Sequence, residues 1–370
     1  MTLKFNVSEV LKALTAISPA IAKKVTPPIL ENIKIKVKDN GTMVLVANDL
    51  EVYIAKIVKN VESDGVKEFC INPKDLSRFL SSLNKADERV VCDVDDTNIV
   101  IHHSRGEISI PTLSAEDYSE MKMDDDAKAI RLDGTSLLPW LNVGLDFVAN
   151  DELRPVLCSV YLSRSEGVMR FASTDAHKLI SSSMASDGDD FEAFFTQKVV
   201  RLLGMNLTDD TTTLRVGKTG RYSIRTSDTL VIWLAPLGKY PNFSPLIAKR
   251  SGDTVIKLSR NELRESIVRT LVSTDEVTTK IILKTNDEGE VLLMGEDLGK
   301  GKKSLDKVSP IETNGGNFEI AVKGSFFLDA VDALDDGNVL LMIKDSRSSI
   351  MLTNEEDNSK VAIVMPLVMS

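Results

Sequence analysis

The fold is decided by a hairpin pattern that first occurs at residues 33–49, IKIKVKDNGTMVLVAND. Apolar residues alternate with polar ones, a turn follows at Asp39-Asn40-Gly41, and a second strand-like run ends at an aspartate. This alternation around a glycine turn predicts two antiparallel strands. The same pattern recurs at residues 160–175, VYLSRSEGVMRFASTD, and at residues 280–297, KIILKTNDEGEVLLMGED. The sequence therefore predicts an internal repeat.

The aspartates that end the three patterns indicate the size of the repeat. Asp49, Asp175 and Asp297 lie 126 and 122 residues apart. Although β-hairpins resemble one another in unrelated proteins, a whole strand–turn–strand–aspartate pattern at nearly constant spacing favours three similar domains. A chain of 370 residues is also too long for one ordinary core.

Two charged stretches are the predicted linkers between these domains. They are Lys122–Lys128 and Lys249–Asp253. We therefore predict three domains, at residues 1–125, 126–252 and 253–370.

Amphipathic segments between the hairpins are predicted as helices. They span residues 8–24, 73–85, 134–148, 196–207, 259–272 and 323–334. Asn72-Pro73 is a favourable helix start, and Ser259 with Glu262 forms a capping box. Pro139 must lie in a first turn or kink its helix. The predicted fold class is α+β, with each domain built from two helices and antiparallel strands.

The composition excludes several classes of protein. Hydrophobic residues make up 42% of the chain, which suffices for buried cores. We find neither an apolar run of about 18 residues, as a membrane span requires, nor a signal-peptide pattern. The three cysteines stand singly, which favours a reducing cytoplasm over a disulfide framework or a zinc site. We expect no cofactor and no metal.

The net negative charge argues against tight binding to DNA. The charged residues are, however, distributed unevenly along the chain. The net charge is −10, whereas most DNA-binding proteins are basic. The six predicted helices hold 12 Lys or Arg against 7 Asp or Glu, which leaves −15 for the remainder. Basic helices are consistent with a helical surface that faces phosphate, but Lys and Arg are also common on exposed helices because of their helix propensity.

Five short motifs resemble the beta subunit of bacterial DNA polymerase III, the sliding clamp. They are Thr26–Leu30 (TPPIL), Asn48–Glu51 (NDLE), Ser173–Leu179 (STDAHKL), Lys239–Phe243 (KYPNF) and Val364–Leu367 (VMPL). The resemblance covers essentially the whole chain. It implies a head-to-tail homodimer that encloses double-stranded DNA within twelve inner helices and a continuous outer sheet. Enclosure also accounts for the negative charge, because a ring that slides needs no tight phosphate contacts.

The resemblance further implies a pocket for short peptides of the polymerase III catalytic subunit, the clamp loader, other polymerases and mismatch-repair proteins. The matching positions are Arg154, Leu157, Thr174, His177, Lys178, Leu179, Pro241, Leu246, Phe326, Ser349, Ile363, Met365, Pro366 and Leu367. Individually, these residues also suit an ordinary core. The chain departs from the family at Pro245 and Val368, where arginine is frequent, at Arg347, which replaces a small apolar residue, and at Ala176, which replaces a glycine.

Two further surfaces follow from the resemblance. Ile108 and Ile110 match one side of the family's dimer interface, and Leu271 and Val272 match the other. Lys24, Lys74 and Lys198 match DNA-facing positions, while Lys23, Arg260 and Arg264 are candidates from charge alone. Two family aromatics that touch DNA correspond to Pro155 and Val156, so we expect that contact to be lost.

The leading hypothesis is a non-catalytic processivity factor that acts in the cytoplasm, in association with the nucleoid. A three-domain scaffold that binds peptides without enclosing DNA is the alternative. A hydrolase that uses Asp175 and His177 is remote, because no nucleophile or second ligand lies near them in sequence.

Overall fold

The computed structural model describes residues 1–24, 26–84, 88–151, 153–207, 211–248 and 253–368. Most of the predicted linker at Lys249–Asp253 and the end of the predicted helix 73–85 therefore lie outside the described residues. None of the helices in the described ranges has the length and apolar character needed to cross a membrane.

Within these ranges the structure contains seven helices. They are α1 (Val7–Ile17), α2 (Pro73–Ser82), α3 (Gly134–Leu145), α4 (Gln197–Asn206), α5 (Ser244–Ile247), α6 (Arg260–Leu271) and α7 (Gly324–Asp332). Six of them correspond to the predicted helices, and the short α5 was not predicted. The cap predictions are confirmed, because Asn72 accepts hydrogen bonds from the N–H groups of Lys74 and Asp75, and Ser259 accepts one from that of Glu262.

The structure corrects the end of the first helix and decides between the alternatives for Pro139. The first helix ends at Ile17 rather than at residue 24, and a 3-10 turn follows at Ser18–Ala20. The cause is Pro19, which has no N–H to donate and crowds the preceding turn. Pro139 lies inside α3, beyond its first turn, so of the two predicted alternatives the first-turn position is excluded and the kink stays a prediction.

The remainder of the fold is built from short strands. They are β1 (Thr2–Asn6), β2 (Ile33–Val37), β3 (Met43–Asn48), β4 (Val52–Val58), β5 (Glu62–Ser63), β6 (Lys67–Ile71), β7 (Arg89–Val94), β8 (Asn98–His103), β9 (Gly106–Ser114), β10 (Lys128–Asp133), β11 (Ser159–Ser165), β12 (Val168–Thr174), β13 (Lys178–Ala185), β14 (Phe191–Thr196), β15 (Thr211–Val216), β16 (Arg221–Arg225), β17 (Thr229–Leu234), β18 (Thr254–Ser259), β19 (Lys280–Thr285), β20 (Val291–Asp297), β21 (Lys302–Val308), β22 (Glu312–Asn314), β23 (Glu319–Lys323), β24 (Asn338–Ile343), β25 (Ile350–Asn354), β26 (Lys360–Val364) and β27 (Pro366–Leu367). The three predicted hairpins are confirmed as β2–β3, β11–β12 and β19–β20, all antiparallel.

The chain divides into two compact units. The first comprises residues 1–139 and 195–235, and the second comprises residues 140–194 and 236–370. Two of the three divisions fall inside α3, directly after Pro139, and inside β14, and the third follows Ala235, after β17. Residues 126–252, predicted as the middle domain, thus contribute to both units. The three-domain boundaries remain a prediction.

The first unit is organised around one sheet of thirteen strands. Their order is β10-β15-β16-β17-β4-β3-β2-β6-β9-β8-β7-β1-β5. Helix α1 packs against β3 and β4 and also contacts α2 and α4. Its apolar face, with Val10, Leu14 and Ile17, is almost fully buried, as the helical spacing of these residues predicts.

The second unit contains two sheets. One has the order β14-β11-β12-β13-β26-β25-β24-β18-β22, and the other has the order β21-β20-β19-β23-β27. Helix α6 packs against α7 and against β20 and β21, and α7 contacts β13, β23 and β26. A Cβ atom at Gly295 would lie 2.9 Å from the carbonyl oxygen of Thr270. This glycine therefore allows α6 to lie close to the sheet. The predicted α+β class with antiparallel sheets is confirmed.

Candidate functional site

The predicted peptide-binding residues lie in the second unit, around the place where the chain crosses between its two sheets. Strand β26 pairs with β13 in the nine-stranded sheet, and β27 pairs with β23 in the five-stranded sheet. Met365 is the one residue between β26 and β27. Its N–H donates to the carbonyl oxygen of His177 at 2.8 Å. Pro366 follows, on an edge strand, where a residue without an N–H is tolerated.

Buried side chains support this crossing, and more accessible ones surround it. Leu157, Leu179 and Ile363 are 6%, 3% and 2% exposed. Two of them are paired in the sheet, because Leu179 of β13 lies opposite Ile363 of β26. Met365 is 41% exposed and Leu246 is 46% exposed, whereas Phe326, Pro366 and Leu367 are half-buried and Pro241 is exposed. The predicted set is therefore part core and part accessible apolar surface.

The turn before β13 fixes the orientation of His177. The Asp175 carboxylate accepts the N–H groups of His177 and Lys178, both at 2.8 Å. The Thr174 hydroxyl donates to the Lys178 carbonyl at 2.7 Å and accepts the N–H of Ala176 at 3.0 Å. Ala176 has φ of +77°, a conformation in which glycine is normally favoured. The family's glycine is thus replaced here at a position that demands a left-handed backbone.

The recurrent aspartates have the same structural role in each hairpin pattern. Asp49 accepts the N–H groups of Glu51 and Val52, and Asp297 accepts that of Lys300. In each case the carboxylate closes the turn after the second strand, as an Asx turn does. For Asp175, this use of one carboxylate oxygen favours a structural role over general-base chemistry.

Lys178 is a buried cation in this site. Its side chain is 8% exposed and pairs with Asp329 of α7. Its ammonium group lies 4.7 Å from the Phe326 ring centroid and 5.3 Å from that of Phe147. A cation between aromatic faces and a carboxylate is well stabilised, so Lys178 links β13 to α7 from beneath the surface.

Phe326 is the aromatic centre of the accessible side. The His177 ring stacks against it with centroids 6.4 Å apart, and the Lys323 ammonium lies 4.5 Å from its centroid. Lys323, Asp329 and Phe147 were not among the predicted site residues. Asp329 could have been found from its position three residues after Phe326, because residues at this spacing share a helix face.

An aromatic cluster holds the segment that carries Pro241 and Leu246. Tyr240 stacks on Tyr161 with centroids 4.5 Å apart and an interplanar angle of 6°. Phe194 and Phe243 contact both rings. Burial raises the pKa of the Tyr161 phenol to about 12. The KYPNF motif therefore has a structural explanation: its aromatic residues anchor this segment against β11.

Serine and arginine complete the predicted set. Ser349 is 8% exposed and directly precedes β25, whose Ile350 lies opposite Val364 of β26. Arg154 is exposed and pairs with Asp151 at 3.2 Å. Ser349 therefore lies beside the crossing point, whereas Arg154 lies beside the buried Leu157.

The predicted DNA-facing residues of the first unit differ in their surroundings. Lys23, Lys24 and Lys74 are exposed. Lys198 pairs with Asp49 and lies 3.6 Å from a carboxylate oxygen of Glu51. Burial lowers the pKa of Lys198, but the hydrogen bond and charge of Asp49 raise it above its usual value overall. Its ammonium group stays charged, but its charge is compensated locally.

The two arginines of the second unit that are predicted to face DNA, Arg260 and Arg264, form ion pairs inside that unit. The side chain of Arg260 is 13% exposed, donates to the Val331 carbonyl at 3.0 Å and pairs with Asp336 at 3.0 Å. Arg264 pairs with Asp332 at 2.6 Å. Both side chains tie α6 to α7 or to the residues that follow it, which net charge alone could not reveal.

The predicted dimer residues lie next to strand edges. Ile108 is half-buried and Ile110 is 3% exposed on β9, while Leu271 is half-buried and Val272 is 70% exposed at the end of α6. β9 pairs with β8 through Gly106–Pro111 and with β6 only through Thr112–Ser114. β21 is the outermost strand of its sheet. Among the described strands, the outer side of β21 carries no partner, and the first half of β9 carries none on the side away from β8.

Comparison with known proteins matches both ends of the chain to one family. Residues 1–122 match the model of the DNA polymerase III beta subunit, N-terminal domain, and residues 249–368 match that of its C-terminal domain. The beta sliding clamp of Pseudomonas putida is 24% identical over 362 residues, covering 96% of this chain and 97% of that protein. The beta sliding clamp of Synechococcus elongatus is 23% identical over 381 residues, covering 99% of each.

Solved structures show the same fold over the full length. The DNA polymerase III subunit beta from Pseudomonas aeruginosa aligns with a TM-score of 0.90 at 21% identity, covering 100% of both chains. The DNA polymerase sliding clamp from Bacillus subtilis aligns with a TM-score of 0.91 at 16% identity, again covering 100% of both.

Proposed function

Because this chain belongs to the family of DNA polymerase III beta subunits, we propose that it is a DNA sliding clamp. In this proposal it encloses double-stranded DNA without sequence preference and confers processivity on the replicative polymerase without catalysis of its own. The observation that carries the proposal is the match of both terminal domains to one family, in the family's order. It acts in the cytoplasm, in association with the nucleoid.

The ring is a head-to-tail homodimer closed by sheet continuation. Each chain offers one open edge on the first half of β9 and another on β21, and unpaired edges of this kind favour pairing with another chain. Two such junctions, each joining β9 of one copy to β21 of the other, would close the ring. Val272 is 70% exposed and Leu305 of β21 is 58% exposed, so apolar surface is available for burial beside the second edge.

DNA is held by enclosure, aided by a weak positive potential. Lys23, Lys24 and Lys74 are the strongest candidates for water-mediated phosphate contacts, because they are exposed and appear in no ion pair among the described residues. Lys198, Arg260 and Arg264 contribute less in this proposal, since neighbouring carboxylates compensate their charges. Such a surface centres a duplex without immobilising it.

The crossing around Met365 is the proposed groove for partner peptides. Its partners are the polymerase III catalytic subunit, the clamp loader, other polymerases and mismatch-repair proteins. Burial of two apolar side chains there would contribute about 1.5–3 kcal/mol each, which suits exchangeable binding. Met365 also lets one groove accommodate several partners, because methionine is flexible and polarizable.

Primer extension tests the proposed function. Polymerase III core and clamp loader are supplied with this chain on a primed single-stranded circle, under conditions that allow one binding event per primer. We expect the products to lengthen severalfold when the chain is added, in an ATP-dependent manner. Product lengths that do not change would refute the processivity function, provided that a known clamp of the same polymerase lengthens them.

A further inference from the structure

Two cations lie on chain segments next to the pairing partners of Met365's neighbours. Val322 lies opposite Pro366 in the β23–β27 pair, so the next residue, Lys323, comes beside Met365. Ile350 lies opposite Val364, so the turn that precedes β25 and carries Arg347 reaches the same crossing point from the other side. Lys323 also overlies Phe326 at 4.5 Å. The apolar groove therefore has a positive group on two of its borders.

Two other cations of the site are compensated by carboxylates. Lys178 pairs with Asp329, and Arg154 pairs with Asp151. Within the described residues, neither Lys323 nor Arg347 takes part in an ion pair, and Arg347 is exposed. In a chain with a net charge of −10, uncompensated positive charge beside an apolar groove favours an acidic partner.

Two carboxylates in the turns of this region, those of Asp345 and Asp175, accept hydrogen bonds from the backbone. Asp345 accepts the N–H groups of Arg347 and Ser348 at 2.8 and 2.7 Å, and these bonds lower the pKa of its carboxyl group. Asp175 closes the turn before β13 in the same way. The turns thus fix the positions of both carboxylates. Neither carboxylate forms an ion pair with Lys323 or Arg347 among the described residues.

The departures from the family pattern point in the same direction. At positions 245 and 368, where the resemblance leads us to expect arginine, the chain has Pro245 and Val368, and Val368 is 92% exposed. Arg347 instead replaces a small apolar residue. The chain therefore lacks positive charge at two positions where the family pattern has arginine, and Arg347 carries it at a third position.

From these observations we infer that the groove selects partner segments that carry an aspartate or glutamate beside their apolar residues, with Lys323 and Arg347 binding that carboxylate. The inference rests on the proposed function, since it specifies the chemistry of the partner segment. The bonds involved are charge-assisted hydrogen bonds at a partly exposed rim, so we expect each cation to change affinity about threefold.

A display selection tests the inference without assuming a sequence. Random heptapeptides are selected on the full chain and counter-selected on the Met365→Ala, Leu367→Ala double variant. We expect the enriched peptides to combine two apolar residues with an acidic one. Enrichment of apolar peptides without an acid would overturn the inference but leave the groove intact. Failure to enrich any peptide would overturn the groove and the inference together.

Fluorescence anisotropy then assigns the carboxylate to its partners. One enriched peptide and its Asp→Asn counterpart are titrated against the parent chain and against Lys323→Ala, Arg347→Ala and the double variant. We expect the Asn peptide to bind the parent chain about five- to tenfold more weakly, and the difference to fall below about twofold in the double variant. Equal affinity of the Asn peptide for all four proteins shows that the variants are folded.

Lys344→Ala is the matched control, because it removes the same charge from the turn that carries Arg347. We expect it to preserve the preference for the acidic peptide. An acid preference that survives in the double variant, or that is lost equally with Lys344→Ala, would contradict the assigned contact and indicate long-range attraction instead.

Discussion

Replacing Ala176 by glycine should stabilise the second unit, although it removes a methyl group. Ala176 has φ of +77° in the turn that sets the position of His177. A left-handed backbone costs a residue with a Cβ atom about 1–2 kcal/mol, whereas glycine loses about 0.5–1 kcal/mol through the greater freedom of the unfolded chain. The side chain is exposed, so no buried area is lost. The expected net gain is about 0.5–1 kcal/mol.

Urea unfolding can measure this gain in the second unit alone. The chain has two tryptophans, of which Trp140 belongs to the second unit and Trp233 to the first. In a Trp233→Phe background, Trp140 fluorescence therefore reports on the second unit. With a denaturant slope of about 2–3 kcal/mol per molar, Ala176→Gly should raise the midpoint by about 0.3 M and leave the slope unchanged.

A second alanine of the same strand region provides the control. Ala185 is exposed at the end of β13 and is not among the residues with positive φ. Ala185→Gly should lower the free energy of unfolding by about 0.5–1 kcal/mol and therefore lower the urea midpoint. If both substitutions lower the midpoint by similar amounts, the strain assigned to position 176 is not real.

Three further predictions concern the groove, a buried ion pair and the thiols. Met365→Ala should weaken binding of a polymerase-derived peptide about tenfold in anisotropy, while sedimentation shows an unchanged dimer; equal affinity would contradict the groove. Lys34 is 6% exposed and pairs with Glu68 and Glu120 at 2.6 and 2.8 Å. The substitution Lys34→Met should lower the free energy of unfolding by about 1–3 kcal/mol at pH 7. Burial raises the pKa of Glu120, but its lysine partners lower this pKa overall below its ordinary value of 4.5. The ionised carboxylate therefore stabilises the fold above about pH 4.5. The loss of unfolding free energy caused by Lys34→Met, measured in urea, should shrink as the pH falls below that value. Burial raises the pKa of the Cys70 thiol to about 11 and that of Cys92 to about 12, so a thiol reagent at pH 8 should label at most one cysteine in the native chain and three in denaturant.

Local features of the fold could be predicted from the sequence because their causes are local. Asn72 and Ser259 cap helices through hydrogen bonds to residues two or three positions away, and the hairpins follow from alternation around a glycine turn. The pattern predicts too long a first helix, because apolar residues at helical spacing continue beyond Pro19, whereas the helix ends at Ile17. The signal that ends this helix, Pro19, is nevertheless local and present in the sequence.

The site could be predicted only as a set of residues. Its position depends on Met365 crossing between sheets whose strands come from distant parts of the chain, and no local pattern encodes such pairings. The burial of Lys178 against Asp329 and the engagement of Arg260 by α7 and the following turn arise from the same long-range packing. Charge counted along the chain could not separate these compensated cations from Lys323 and Arg347.

Retention on DNA of defined topology tests the central claim most directly. The chain is loaded by a clamp loader onto a nicked circular plasmid, transferred to about 1 M salt and separated by gel filtration before and after linearisation. A ring remains on the circle, because salt screens phosphate contacts but does not open an enclosure, and it is released when the DNA is cut. Loss from the circle in high salt, or retention that does not change on linearisation, would contradict the proposal that this chain holds DNA by encircling it.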